Sequence, residues 1–170
     1  MGELEAGIAP GRSGTVFETD FGKIGVAICF DINIPDIRQY YAKRVVRVVL
    51  FPFRSMFPGG RLLEAGSIEI VCYLVSATTD CRGAILDPLG RVLCRSSEYS
   101  SILSSRVNMD FKVLHLDYSH EKFDRVKKTY RSKVAIDVSR PEPLAMISSE
   151  SEDVTVDQLM REFSLEPRYR

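Results

Sequence analysis

The residues of this chain best suited to chemistry are Cys29 and its neighbours. The apolar run Ile24-Gly25-Val26-Ala27-Ile28 carries no charge between Lys23 and Asp31, and it delivers a thiol at its C-terminal end. Polar residues and Pro35 follow at once, so the pattern reads as strand, elbow and helix with the thiol on the elbow. A nucleophile gains from that place. A tight turn holds its side chain out, and the backbone N–H groups of the next turn lack carbonyl partners. Those donors favour a thiolate and a developing oxyanion alike, with the Phe30 N–H nearest. The competing reading is a buried structural cysteine, since free cysteines are among the most buried residues.

Elements that would position the elbow can be read on either side. Residues 15–20 alternate in the strand manner, residues 21–23 turn, and residues 24–28 return as a buried strand. Residues 35–44 read as a helix, with proline tolerated in its first turn. A strand at 45–51, a helix at 61–71 and strands at 73–78, 82–87 and 92–95 follow, the last two joined by a Pro88-Leu89-Gly90 turn. This alternation predicts an α/β sheet with a parallel core finished by antiparallel strands. Arg47 interrupts an otherwise apolar strand, which predicts that one face of that strand is poorly covered.

Beyond residue 110 the expectations are looser. His115-Leu116-Asp117 alternates like an exposed strand, and residues 123–131 carry a charged helical pattern. From Arg140 the composition shifts to Pro141-Glu142-Pro143 and a Ser/Glu run at 148–152, read as a linker or extended arm. Thr155 and Gln158 have capping-box spacing ahead of a short helix over 156–163. The expected division is therefore 1–139 for the main domain and 140–170 for a C-terminal arm.

Composition excludes several classes. The 170 residues carry zero net charge and no strongly basic segment, so no nucleic-acid surface is expected. No apolar run is long enough to span a bilayer, and no membrane partner is expected. The four cysteines lack C-x-x-C spacing and the two histidines complete no zinc pattern, which points to a reduced, cytoplasmic, metal-free protein. A cysteine–histidine protease is disfavoured because His115 and His120 fall in a peripheral segment. Nucleotide binding is disfavoured because no glycine-rich phosphate loop is present.

Ile28-Cys29-Phe30-Asp31 followed by Pro35 resembles the nucleophile motif of the nitrilase superfamily of carbon–nitrogen hydrolases. Val16 to Gly22 before it, Leu50-Phe51-Pro52 after it and Asp87-Pro88-Leu89-Gly90-Arg91-Val92 further on agree in order, and the resemblance runs from about residue 3 to about residue 117. It implies an α/β fold, here a partial four-layer α-β-β-α sandwich of the nitrilase type. It also implies hydrolysis of a small amide, carbamoyl compound or nitrile through a cysteine thioester, with no cofactor. Acyl transfer and a non-catalytic interaction module are the alternatives. The family's helices at 35–44 and 61–71 imply a homo-oligomer in the intact protein.

Carried over residue by residue, the resemblance makes Cys29 the nucleophile and Phe30 N–H an oxyanion donor. Glu5 matches a supporting glutamate, with Glu3 the runner-up and a solvent-exposed acid the alternative for both. Phe53, Arg54 and Ser55 fall on the substrate side, where Arg54 either binds substrate or makes a surface ion pair. Thr78 ends the next strand and lines the pocket or serves structure. Asp31 matches a position that supports the elbow by hydrogen bonds. The family's general-base glutamate and its lysine precede the cysteine, and this sequence opens 28 residues before Cys29, leaving no positions for them. Lys23 starts the strand leading to Cys29, roughly 20 Å away, and cannot substitute. The expectations are no amide turnover by this chain alone and an exposed apolar sheet face.

Overall fold

The computed structural model describes residues 5–9, 11, 13–54, 60–79, 82–139 and 142–168. A six-stranded sheet, in the order β1-β2-β3-β4-β5-β6, carries the elbow. Its strands are β1 (Thr15–Thr19), β2 (Gly22–Val26), β3 (Val48–Phe53), β4 (Tyr73–Thr78), β5 (Ala84–Leu86) and β6 (Val92–Arg95). The β2, β3 and β4 strands run parallel, and β1, β5 and β6 join antiparallel at the two sides. Helix α1 (Pro35–Lys43) links β2 to β3, and α2 (Gly60–Ile70) links β3 to β4. This is the α/β sheet with a parallel core that the pattern predicts.

Both helices cover one face of the sheet. In β3 the buried residues Val49, Phe51 and Phe53 alternate with Leu50 and Pro52, which are exposed. The buried set packs with Tyr41 of α1 and Leu63 of α2 in one apolar cluster. Gly25 lets Tyr41 lie flat on β2, because a Cβ there would stand 2.9 Å from Tyr41 Cε1. The Tyr41 hydroxyl donates to the Val26 carbonyl at 2.5 Å, pinning α1 to the strand that leads to the thiol.

The opposite face is covered at its Tyr73 end by the second sheet and is open around Phe17 and Leu50. Val26, Leu50 and Val75 lie abreast on three strands, with Phe17 beside Ile24 at the near side. Phe17 is 52% and Leu50 40% exposed. Apolar side chains in such a row outside a core are uncommon on an isolated domain and mark surfaces that associate. Arg47 lies just ahead of β3, where its guanidinium donates to the Phe111 carbonyl at 3.1 Å and sits over the Phe111 ring.

A second, antiparallel sheet has the order β7-β9-β8, built from β7 (Phe111–His115), β8 (Val134–Ser139) and β9 (Leu144–Ser149). Helices α3 (Leu116–Tyr130) and α4 (Val156–Glu162) pack against it. Two sequence expectations are corrected here. The stretch around His115 is not an exposed strand through Asp117. The strand ends at His115 and α3 starts at Leu116, so Phe123 and Val126 turn inward while the charged face stays wet. The arm expected from residue 140 includes β9, whose six residues are all buried. Leu144 and Met146 face the first sheet, and Ala145 and Ile147 face α3 and α4. A strand covered on both faces shows no polar alternation, so its short apolar run gave way to the serine-rich composition beside it. The capping box is present: Gln158 Oε1 accepts the Thr155 N–H at 2.8 Å, and Thr155 Oγ1 accepts the Gln158 N–H at 3.3 Å.

The turn at residues 87–91 closes the first sheet. Buried Asp87 accepts from the backbone N–H groups of Leu89 and Arg91 and from Arg91 Nε at 2.6 Å. Gly90 has φ +81, and a Cβ there would lie 2.7 Å from Ile68 Cδ1, so both its conformation and its neighbour demand glycine.

Candidate active site

The strand before the thiol ends two residues earlier than expected, at Val26. Ala27 still donates to the Leu50 carbonyl at 3.0 Å, and then the chain leaves the ladder. Cys29 opens a 3-10 turn, Cys29–Asn33, which precedes α1. Its φ is +50, a left-handed conformation that a non-glycine residue adopts at a cost. The sharp reversal turns the thiol outward, and Cys29 is exposed.

Three contacts hold that reversal. The Asp31 carboxylate accepts the Ile28 N–H at 2.9 Å, and the Asp31 N–H donates to the Ile28 carbonyl at 3.0 Å. The Asn33 amide donates to the Phe30 carbonyl at 3.1 Å. Below the turn, Arg38 of α1 donates to the Ile32 carbonyl and to Glu69 of α2, each at 2.6 Å. Ile32 itself is buried against Gly66 of α2. Both helices therefore brace the elbow. Nothing local in the sequence marks Arg38 and Glu69, because 31 residues separate them and neither makes a motif.

The Phe30 N–H makes no hydrogen bond to another described residue, and it lies one residue past the thiol. That leaves a backbone donor open where an oxyanion would form. Phe53 and Thr78 are partners at the C-terminal ends of β3 and β4, the sheet edge toward which β2 also runs. The Phe53 side chain is buried and stacks on Phe51 at 5.1 Å, on the helix-covered face. Arg54 follows it, exposed, and Thr78 is half-buried. Open α/β sheets bind ligands beyond such strand ends. Ser55, like Glu3, lies outside the described residues. Glu5 is exposed and makes no hydrogen bond or ion pair with a described residue, so the structure does not join it to the thiol. Lys23 pairs with Glu18 at 3.5 Å, at the far end of β2. Histidine is also remote: His115 ends β7 and His120 lies in α3.

A family model for carbon–nitrogen hydrolases matches residues 5–111, a segment that holds the elbow and the whole first sheet. The chain belongs to the carbon–nitrogen hydrolase family. Among its relatives, "Omega-amidase NIT2" of Danio rerio is 24% identical over 119 residues, covering 61% of this chain and 43% of that protein. "Deaminated glutathione amidase" of Synechocystis is 28% identical over 111 residues, covering 56% of this chain and 41% of its own. The chain thus spans about two fifths of the length of these curated relatives. Of solved structures, Saccharomyces cerevisiae Nit3, a member of branch 10 of the nitrilase superfamily, superposes with a TM-score of 0.50 at 20% identity. It covers 54% of this chain and 39% of that one, and the likeness shows a shared nitrilase-type fold. In this family member the Asp31 clamp holds the elbow and the Asp87 turn holds the sheet end. Among the described residues no helix is long and apolar enough to cross a membrane.

Proposed function

We propose that this chain carries the nucleophile side of a small-amide hydrolase, with Cys29 as nucleophile and the Phe30 N–H as one oxyanion donor. The Cys29 thiolate adds to the amide carbon, and the carbonyl oxygen takes the charge toward the open N–H. The C–N bond then breaks, the amine leaves with a proton, and a thioester remains on Cys29. Water adds to the thioester and the C–S bond breaks, releasing a carboxylic acid and restoring the thiol. The observation that carries this reading is the exposed thiol on a left-handed residue clamped by Asp31. The amidase relatives support an amide as substrate class.

Neither a lysine nor a histidine makes contact with the thiol among the described residues. A Cys29 without a proton-transfer partner captures an acyl group and holds it, since amine departure and water attack both need a moved proton. The test is to treat the chain with an activated ester, p-nitrophenyl acetate, and to map the acetyl group by mass spectrometry. A persistent thioester on Cys29, absent in Cys29→Ala, is expected, with no ammonia release from simple amides. Acetylation spread evenly over Cys29 and Cys94 would overturn the nucleophile assignment. Ammonia release lost in Cys29→Ala would keep the assignment but overturn the claim that the chain alone cannot turn over.

One observation favours a second reading, a non-catalytic association module. On one face of the first sheet Leu50 is exposed between the half-buried Val26 and Val75, with exposed Phe17 nearby. Under this reading two copies of the chain cover that face on each other, and Cys29 captures no acyl group faster than an ordinary exposed thiol.

A further inference from the structure

A cleft of about 590 Å³ opens at the end of the first sheet opposite Cys29. Its walls are the C-terminal ends of α1 and α2, the approach to β3, part of β7 and the chain near Arg168. The Arg47 N–H donates to the Lys23 carbonyl, which places Arg47 level with Lys23, at the end of β2 away from Cys29. At about 3.3 Å per residue the strand from Lys23 to Val26 alone spans about 10 Å, and the elbow lies beyond it, so the cleft and the thiol sit at opposite ends of β2. Its size falls within the range of small-molecule sites.

Its charge is one-sided. Among the described residues Lys43, Arg47, Lys112 and Arg168 line it against one acid, Glu69, and Glu69 is already engaged by Arg38. Arg47 is fixed in place by the Phe111 carbonyl and ring. Burial presses its pKa below the ordinary value, while Asp110 and Asp157 act in the other direction. Asp157 also pairs with Lys112 at 3.2 Å. Arg168 donates to the Ile68 carbonyl at 3.0 Å. A guanidinium anchored as that of Arg47 is, with one N–H on the Phe111 carbonyl, suits carboxylate or phosphate oxygens.

A second, independent observation marks the same cleft. Helices α1 and α2 end in the same way. The Val46 N–H reaches back to the Tyr41 carbonyl at 3.2 Å, and the Cys72 N–H to the Ser67 carbonyl at 3.2 Å. Each bond spans five residues, so the left-handed position of each cap falls on Val45 (φ 55) and Val71 (φ 62). Glycine is the ordinary residue there, and a β-branched side chain at positive φ is a genuine strain. Val45 is 57% exposed and so contributes little to the core. Both valines line the cleft. Retained strain of this kind clusters at ligand clamps.

We propose that this cleft binds a small amphipathic anion, its acidic head on Arg47 and Lys112 and its apolar body on Val45 and Val71. The site is separate from the thiol and stands whether or not Cys29 is a catalytic nucleophile. Calorimetric titration of the chain with octanoate, with octanol as the same body lacking charge and with inorganic phosphate as a head alone, tests it. Octanoate is expected to bind at least tenfold more tightly than either control. Val45→Gly and Val71→Gly relieve the strain, so each is expected to raise the melting temperature while weakening octanoate severalfold. That opposite pair of shifts separates ligand contact from a merely structural role. Lys43→Gln with Lys112→Gln is expected to cost at least tenfold in octanoate affinity and to leave acetylation of Cys29 unchanged. Equal affinity for octanoate and octanol, or full octanoate affinity in the two glycine variants, would overturn the proposal. So would affinity lost in Leu50→Glu but kept in the double lysine variant, since it places the ligand on the open sheet face.

Discussion

Asp31 and Ile28 grip each other twice across the thiol-bearing residue. The Asp31 side chain accepts the Ile28 N–H at 2.9 Å while its own N–H donates to the Ile28 carbonyl at 3.0 Å. The two bonds close a small ring around Cys29 and Phe30. Within it Cys29 has little choice but φ +50, and the Phe30 N–H is turned away from any carbonyl. The carboxylate thus sets the backbone without touching the sulfur. It is a positioning group for the residue proposed as nucleophile.

Removing it separates the two bonds. Asp31→Ala loses the side-chain half and leaves the Ile28 N–H to water, at a stability cost of about 1 kcal/mol. The larger effect falls on the thiol, since a relaxed elbow no longer presents sulfur and N–H together. Acetylation of Cys29 by p-nitrophenyl acetate is expected to slow by about tenfold or more. Asp31→Asn keeps an oxygen acceptor and is expected to recover most of that rate. Stopped-flow release of p-nitrophenol measures both, and equal rates for wild type and Asp31→Ala would remove Asp31 from the mechanism.

The thiols of the first sheet should separate cleanly in reactivity. Cys29 is exposed and Cys94 half-buried, whereas Cys72 is fully buried. Burial pushes the Cys72 pKa well above the ordinary thiol range, so both access and thiolate are denied to a reagent. With limiting iodoacetamide at pH 8, the expected order of alkylation is Cys29, then Cys94, with Cys72 modified only after urea unfolds the chain. Peptide mapping reads the order, and native-state labelling of Cys72 at the rate of Cys29 would contradict the packing.

Much of this was legible in the sequence, for a physical reason. Strands β4 and β6 fall on the residues that the apolar runs mark, and the Thr155–Gln158 capping box starts its helix as spaced. Such features depend on neighbours a few residues apart. The parts that were not legible depend on distant ones. The β9 strand is buried because β7, β8, α3 and the first sheet all close on it. Arg38 braces the elbow through Glu69, a partner on another helix. The left-handed valines were invisible because sequence propensity argues against them. The elbow was readable because Cys29 and Asp31 fall in one compact motif, whereas the place of Glu5, which is exposed, depends on contacts that no local pattern carries.

Alkaline pH should unfold the chain through its buried tyrosines. Burial, then Asp87, raises the pKa of Tyr73 to about 12, and its hydroxyl donates to the Asn108 carbonyl at 3.1 Å. Burial also raises Tyr41. A tyrosine in the unfolded chain titrates near 10, so above that pH the unfolded state releases a proton that the native state keeps. The contribution is fully present below about pH 10 and is lost as pH rises toward about 12. Urea unfolding at pH 8, 9, 10 and 11 should therefore show a falling free energy over the last step. Tyr73→Phe gives up one hydrogen bond, about 1 kcal/mol at neutral pH, and is expected to flatten the alkaline fall. An unchanged slope in that variant would assign the fall to other groups.

The open face of the first sheet makes the last prediction. Leu50 stands between Val26 and Val75 on neighbouring strands, with its side chain toward solvent. Water against such a row is unfavourable by roughly 25 cal/mol per Å² of apolar area, which two chains remove by facing each other. The chain is therefore expected to self-associate at micromolar concentration, with a melting temperature that rises with concentration because association stabilises only the folded form. Leu50→Glu puts a charge into the middle of the row and leaves the helix-covered core alone, since Val49 and Phe51 point the other way. Sedimentation equilibrium should then show a monomer, and the concentration dependence of melting should vanish. A monomeric wild type at high concentration would rule out a second copy as the cover for this face.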